Sequence, residues 1–119
     1  MIEERLKITT SIEHYRIPTE DIAFIKADGN YCDVHLFNGE KLTLTFQLHY
    51  FEEQLNRLKN NFFIRVGKSL IVNRNYILSV NTSMQTLYLM NHRMNSLIIL
   101  EKVSKEPLKE LKTKLEHDD

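Results

Sequence analysis

The sequence predicts a mostly β fold of packed antiparallel β-sheets, β-sandwich-like, with two short α-helices. Three observations predict it. Apolar and polar residues alternate along short segments, Asp-Gly and Asn-Gly turn signals separate these segments, and only two stretches show the helical period. The chain has 119 residues, 42% of them hydrophobic and 27% charged, which predicts a single domain over residues 1–119 with a real hydrophobic core.

The N-terminal half predicts an antiparallel meander. Residues 6–17 are β-branched and partly alternating, and residues 22–25 form a short apolar run. Further along, Cys32, Val34 and Leu36 point to one face of a strand, because side chains alternate along β-structure. The turn signals are Asp28–Asn30 and Asn38–Glu40, and the third strand of the meander is residues 41–46.

Helical periodicity appears twice. The apolar positions are Leu48, Phe51, Leu55 and Leu58 in a first helix of about three turns, and Leu108, Leu111 and Leu115 in a second. Ser104 is suited to be the N-cap of the second helix, which tolerates Pro107 in its first turn. Three more strands are predicted between the helices, at residues 77–80, 85–90 and 96–100.

Charge is segregated along a neutral chain. Between Gln54 and Leu100 there is no Asp or Glu, whereas six Lys and Arg residues give this stretch a charge of +6. This distribution predicts a basic surface that contacts phosphates. The alternative is that the acidic ends of the chain fold back and neutralise it.

Two other classes of function fit poorly. Residues 66–73, "VGKSLIVN", contain Gly-Lys-Ser, but a nucleotide-binding loop would need another glycine where Phe62 stands. Cys32 and His35 cannot form a catalytic pair, because positions three apart on a strand face opposite sides. No cofactor or metal is expected, since the five histidines and one cysteine lack metal-binding spacing. We expect a non-enzymatic, cytoplasmic protein without a small-molecule substrate or a membrane segment.

Four segments resemble, in order, the LytTR family of bacterial DNA-binding domains. They are "DIAFIKADGNYCDVHL", "LHYFEEQLNRL", "FIRVGKSLIVNRNYI" and "KVSKEPLKELKTKL", and the resemblance runs from about residue 17 to 115. It implies packed antiparallel sheets and sequence-specific binding of double-stranded DNA by loops. It also implies transcription regulation, either as the output domain of a two-component response regulator or as a stand-alone protein. Nothing before Ile17 is long enough for a receiver domain. Two copies bound to promoter repeats, as a homodimer on DNA, are expected.

The resemblance places the DNA-facing residues in separate segments. Lys68 and Ser69 occupy the "rS" positions of the family motif "HrS", and Lys105 occupies the arginine of "vSr". The remaining candidates are Asn30 and Tyr31 in the "gNY" turn, Asn73, which matches a family asparagine, and Arg74 after it. Lys68, Arg74 and Lys105 would contact phosphates, and Ser69 could donate to a phosphate oxygen or simply start a turn.

Three candidates also have structural interpretations that the sequence leaves open. Arg65 could touch DNA or buttress the loop that follows it. The Asn73 amide could read a base edge, although a hydrogen bond to its own turn is the favoured alternative. Tyr31 could stack at the DNA surface or pack on its strand.

Departures from the family motifs favour backbone contacts over base readout. Gly67 stands at the family histidine, and Lys68 and Lys105 replace arginines. Lysine contacts phosphate well but lacks the fork that reads guanine. The second hypothesis is therefore a protein-interaction module that keeps the fold and has lost or weakened DNA binding.

Overall fold

The computed structural model describes residues 4–118, which form ten strands and two α-helices with only antiparallel strand pairs. The strands are β1 (Arg5–Thr9), β2 (His14–Pro18), β3 (Ile22–Asp28), β4 (Tyr31–Leu36), β5 (Lys41–Leu44), β6 (Phe63–Val66), β7 (Leu70–Asn73), β8 (Ile77–Asn81), β9 (Thr86–Asn91) and β10 (Ser96–Leu100). The helices are α1 (Leu48–Asn56) and α2 (Lys105–His117). None of the helices in this part of the chain is long and apolar enough to cross a membrane.

A five-stranded sheet lies at the centre of the molecule, in the order β5-β4-β3-β7-β6. Its central strand, β3, begins with four consecutive buried residues, Ile22 to Ile25. Such a continuous apolar run is expected where both faces of a strand are covered. The sheet therefore contributes to two cores, one on each face.

The first core lies between one face of this sheet, helix α1 and the β1–β2 hairpin. Phe51 and Leu55 of α1 are buried there with Leu6 and Ile8 of β1. The helix forms because its apolar positions recur every three to four residues and so make one stripe. Cys32 and Val34 of β4 complete this core from the sheet side.

The second core lies on the opposite face, under helix α2 and a three-stranded sheet in the order β10-β9-β8. Leu108 and Leu111 of α2 are buried there together with Leu87 and Leu89 of β9. Helix α2 thus lies along the β6–β7 side of the central sheet, which brings its first turn to the loop between these strands.

The predicted meander, the three later strands and both helices are confirmed, with four differences. Strands β6 and β7 are additional to the three strands predicted between the helices. Residues 6–17 form a hairpin, because the Thr10 hydroxyl accepts hydrogen bonds from the backbone amides of Ile12 and Glu13 and closes a turn. Helix α1 ends at Asn56, and Leu58 packs against the first core from beyond its end. Ser104 is the N-cap residue of α2 by position, but its side chain makes no capping hydrogen bond.

Candidate nucleic-acid interface

Two of the predicted DNA-facing turns lie side by side at one end of the central sheet. The backbone amide of Ala27, near the end of β3, donates to the Ser69 carbonyl at the start of β7 (2.8 Å). The β3–β4 turn with Asn30 and Tyr31 is therefore adjacent to the β6–β7 turn with Lys68 and Ser69. Residues almost forty positions apart in sequence are brought together by strand pairing alone.

The third predicted segment, the start of helix α2, contacts the same β6–β7 turn. A Cβ atom built at Gly67 would lie 2.9 Å from Cγ of Pro107 and 3.2 Å from its Cβ. The Pro107 ring thus lies directly against the backbone of the turn. Lys105, the first residue of α2, is two positions before Pro107, so it lies at the same end of the molecule as Lys68.

Most of the candidate side chains in these three segments are available to a ligand. Lys68, Ser69, Lys105 and Asn30 are exposed, and Tyr31 is 50% exposed. Within residues 4–118, neither Lys68 nor Lys105 has an ion-pair partner. We use the name three-segment surface for the set of Asn30, Tyr31, Lys68, Ser69 and Lys105.

Arg65 supports this surface from behind. Its Nε donates to the Gly67 carbonyl (2.8 Å) and one terminal nitrogen donates to the Lys68 carbonyl (3.0 Å). The other terminal nitrogen pairs with Glu52 of α1 (3.0 Å). The sequence left two roles open for Arg65, contact with DNA and support of the turn. Because all three guanidinium nitrogens bind groups inside the protein, the geometry favours support of the turn.

Asn73 does not belong to the surface, so its predicted contact with a base edge is wrong. Its side chain is 3% exposed and donates from Nδ2 to the carbonyls of Thr19 and Ile22. Its Oδ1 accepts from the backbone amide of Asn75. The structural alternative holds: the amide joins two chain segments and closes a local turn.

Arg74 is not brought together with Lys68 and Lys105. It follows β7 at the strand end opposite the β6–β7 turn, and its guanidinium pairs with Asp118 (2.8 Å). Asp118 caps the far end of α2, about 20 Å along a 13-residue helix from Lys105. Arg74 is therefore separated from Lys68 and Lys105, and its predicted phosphate contact lies outside the surface that those two lysines share.

The basic stretch found in the sequence is partly neutralised. Three of its six Lys and Arg residues form ion pairs among residues 4–118, as the alternative hypothesis required. The pairs are Arg65 with Glu52 (3.0 Å), Arg74 with Asp118 (2.8 Å) and Arg93 with Glu20 (3.0 Å). All three are partly exposed, and such pairs add little stability, but they do cancel charge.

An open groove of about 530 Å³ borders the three-segment surface. Ser69 lies on one side of it, and the segment from Leu100 to Ser104 forms another. Its charged and titratable lining residues are Lys26, Asp28, Asp33, His35, Glu101 and Lys102. Three carboxylates and two ammonium groups line it, so the groove beside the three-segment surface carries mixed charge.

Sequence reasoning missed Lys26 and Lys102, both exposed beside this groove. Lys102 adopts a left-handed backbone conformation (φ +56°). The following residue, Val103, is held by Gln85, whose backbone carbonyl accepts from the Val103 amide (3.0 Å) and whose side-chain amide donates to the Val103 carbonyl (2.9 Å). The only sequence signal for Lys102 was its place three residues before Lys105.

The two residues considered for catalysis lie on opposite faces of the central sheet. Cys32 is fully buried in the first core, and burial raises the pKa of its thiol. His35 stacks on Phe24 of the second core, with ring centroids 4.2 Å apart, and burial lowers its pKa. The described residues contain no cluster of three or more His, Cys, Asp or Glu side chains suited to a metal ion.

Comparison with known proteins agrees with this fold. The family described as the LytTr DNA-binding domain matches residues 13–116. Among solved structures, the chain is similar to the LytTr DNA-binding domain of a Bacillus cereus protein described as a methyl-accepting/DNA response regulator. The two are 20% identical with a TM-score of 0.63, over 95% of this chain and 97% of that one. Curated proteins gave no match. The match of the family over almost the whole chain shows that this protein belongs to the LytTr family of DNA-binding domains.

Proposed function

We propose that this chain binds double-stranded DNA at specific promoter sequences through the three-segment surface. The observation that carries the proposal is the convergence of three chain segments at one end of the central sheet. It rests on the Ala27–Ser69 hydrogen bond and on the contact between Gly67 and Pro107. A rigid sheet that presents separate loops is a common way to position binding residues.

The two unpaired lysines act as the phosphate contacts in this proposal. Lys68 and Lys105 anchor the protein on the DNA backbone, which contributes affinity that is independent of sequence and falls with salt. Asn30, Tyr31 and Ser69 lie between and beside them with exposed polar groups. The Asn30 amide can pair with adenine through two hydrogen bonds in the major groove. Bending of the duplex toward the surface would let all three segments engage at once.

A salt titration of duplex binding tests the phosphate contacts. For the wild type, the logarithm of the affinity should fall steeply and linearly with the logarithm of salt concentration. Lys68→Ala and Lys105→Ala should each reduce that slope by about 0.9, the value for one lost phosphate contact. Arg74→Ala is the matched control, because Arg74 is paired with Asp118 and lies at the other end of β7. A wild type without measurable duplex affinity at low salt would refute the proposal.

Sequence specificity needs a separate test. Duplexes selected from a random pool should share a motif. Asn30→Ala should then relax the preference at one position of that motif, at a cost of about 1–3 kcal/mol for the preferred base. If no sequence motif is enriched after several rounds of selection, binding is non-specific and the proposed sequence specificity is refuted.

A second candidate function, a protein-interaction module, is favoured by the outer face of the three-stranded sheet. Leu97 and Ile99 of β10 are 51% and 47% exposed, and in the neighbouring strand they stand opposite Met90 and Tyr88. Leu78 of β8 is 56% exposed. Strands β8, β9 and β10 contain no charged residue. Exposed large apolar side chains on an uncharged sheet are typical of interaction sites.

The partner that we propose for this face is a second copy of the chain. An uncharged apolar face fits another like it, because no charge of either copy is then buried without a partner. Sedimentation velocity should show association that weakens in Leu97→Glu and is unchanged in Ile12→Glu, a substitution at an apolar residue that is 86% exposed on the β1–β2 turn. A wild type that remains monomeric, both in solution and on adjacent DNA sites, would refute this second candidate.

A further inference from the structure

We propose that Gly67 and Pro107 form a joint that fixes Lys68 relative to Lys105, which makes both of them positioning residues for DNA binding. The proposal rests on the function proposed above and concerns how its surface is held together. Neither residue needs to touch DNA. Their contact is where the loop from the central sheet meets the helix from the other layer.

Gly67 suits this joint for two independent reasons. Its φ is +73°, in the left-handed region that residues with a Cβ rarely adopt. In addition, the space that a Cβ would occupy is filled by the Pro107 ring, 2.9 Å away at Cγ. The other two glycines also have positive φ values, but a Cβ at either of them would have nothing within 4 Å. Only at position 67 does the missing side chain allow two elements to touch.

Each side of the joint is held by its own part of the fold. On the sheet side, Arg65 binds the carbonyls of Gly67 and Lys68. On the helix side, Gln85 holds Val103 just before the start of α2 through two hydrogen bonds. Both sides are therefore fixed, and a change at the joint shifts one lysine relative to the other.

Fixing two cations in advance improves binding, because less conformational entropy is lost when they engage phosphates. If the joint is forced apart, Lys68 and Lys105 keep their charges but lose their relative position. Affinity should then fall although no phosphate-binding group has been removed.

A set of full-length variants tests the joint. Gly67→Ala should weaken duplex binding by about tenfold, which is within the usual range of coupling between contacting residues. Adding Pro107→Ala removes the Cγ atom at 2.9 Å, so the double variant should recover part of the loss. Gly39→Ala is the matched control. It has the same kind of backbone strain (φ +94°) with open space around it, at the other end of β4. This control should lose stability but bind duplex DNA within about twofold of the wild type.

Amide hydrogen exchange gives a second readout that needs no DNA. Gly67→Ala should accelerate exchange in both the β6–β7 turn and the first turn of α2, and the double variant should restore slower exchange in both. The proposal is overturned if Gly67→Ala binds DNA as tightly as Gly39→Ala, or if Pro107→Ala gives no recovery in either readout. If the wild type binds no duplex at all, the proposed function fails, and the exchange data still decide whether the joint couples the two segments.

Discussion

At the residue scale, burial determines what Asn73 and His35 can do. Both are polar residues on strands of the central sheet, Asn73 buried and His35 half-buried. Hydrogen bonds between the Asn73 side-chain amide and backbone groups compensate for its desolvation. The His35 ring stacks against Phe24, and burial lowers its pKa, which favours the neutral form.

Asn73→Ala should destabilise the protein by about 2–3 kcal/mol, because it removes the hydrogen bonds that Nδ2 donates to the carbonyls of Thr19 and Ile22, the second of which is buried. Urea denaturation measures this loss. Asn38→Ala is the matched control, since Asn38 makes the same kind of turn hydrogen bond, to the amide of Glu40, but is exposed. The control should cost no more than about 1 kcal/mol. Equal losses in the two variants would contradict the buried role of Asn73.

The lowered pKa of His35 predicts a pH dependence of stability. Burial is the largest cause, the charges of Lys41 and Lys26 act in the same direction, and Asp33 opposes them. Because the unfolded chain binds the proton more readily, this contribution is present above pH 6.5 and is lost as the pH falls through the lower folded value.

Urea denaturation between pH 7.5 and 5 should therefore show stability falling toward acid, with a shallower fall in His35→Gln. The quantity to compare is the slope of the free energy of unfolding against pH, because the loss of ring stacking lowers the stability of the variant at every pH. Parallel curves for the two proteins would contradict the prediction.

At the scale of elements, the β6–β7 turn shows how a strand residue can organise a loop. Arg65 points away from its strand neighbours, binds two turn carbonyls and reaches Glu52 on helix α1. The planar guanidinium has enough donors in fixed directions to hold three oxygens at once. The turn conformation is thereby tied to both the sheet and α1.

Arg65→Ala should weaken duplex binding while leaving the salt slope close to that of the wild type, because Arg65 orders the turn and contacts no phosphate. Arg65→Lys should weaken binding similarly, since one ammonium group cannot reproduce the fork. Lys68→Ala, by contrast, should lower the slope by about 0.9. Full retention of affinity in Arg65→Lys would indicate a direct charge contact with DNA instead.

At the scale of the whole molecule, the two cores share one sheet. The first core includes Ile25 and Ile71, and the second includes Phe24 and Val72, which are their neighbours on β3 and β7. Successive residues of the same two strands thus supply opposite cores. The loss of either core would strip one face of the sheet, so the two should unfold together.

Phe51→Ala should therefore cost about 3–5 kcal/mol and lower the stability of the second core as much as that of the first. Native-state hydrogen exchange measures the stability of each core, at the Ile71 amide for the first core and at the Leu89 amide for the second. Ile12→Ala is the control, because an 86% exposed side chain contributes little. Unchanged protection at Leu89 in Phe51→Ala would mean that the cores unfold separately.

The sequence by itself determined the features that depend on neighbouring residues. Alternation from Cys32 to Leu36 and the turn signals at Gly29 and Gly39 predicted the meander. The three- and four-residue spacing of leucines predicted both helices. These patterns are local, because the periods of strands and helices are set by backbone geometry. The motifs carried by these segments also predicted the family.

Only the tertiary structure decided which polar side chains remain available at the surface. Arg74 meets Asp118 from 44 positions away, and the Asn73 amide binds carbonyls more than 50 positions before it. Gly67 and Pro107 likewise touch across 40 residues. Such contacts leave no periodic signal, because they depend on how whole layers pack and not on the local backbone. For the same reason, the mixed charge of the groove beside Ser69 became visible only when β3, β4 and the segment before α2 were brought together.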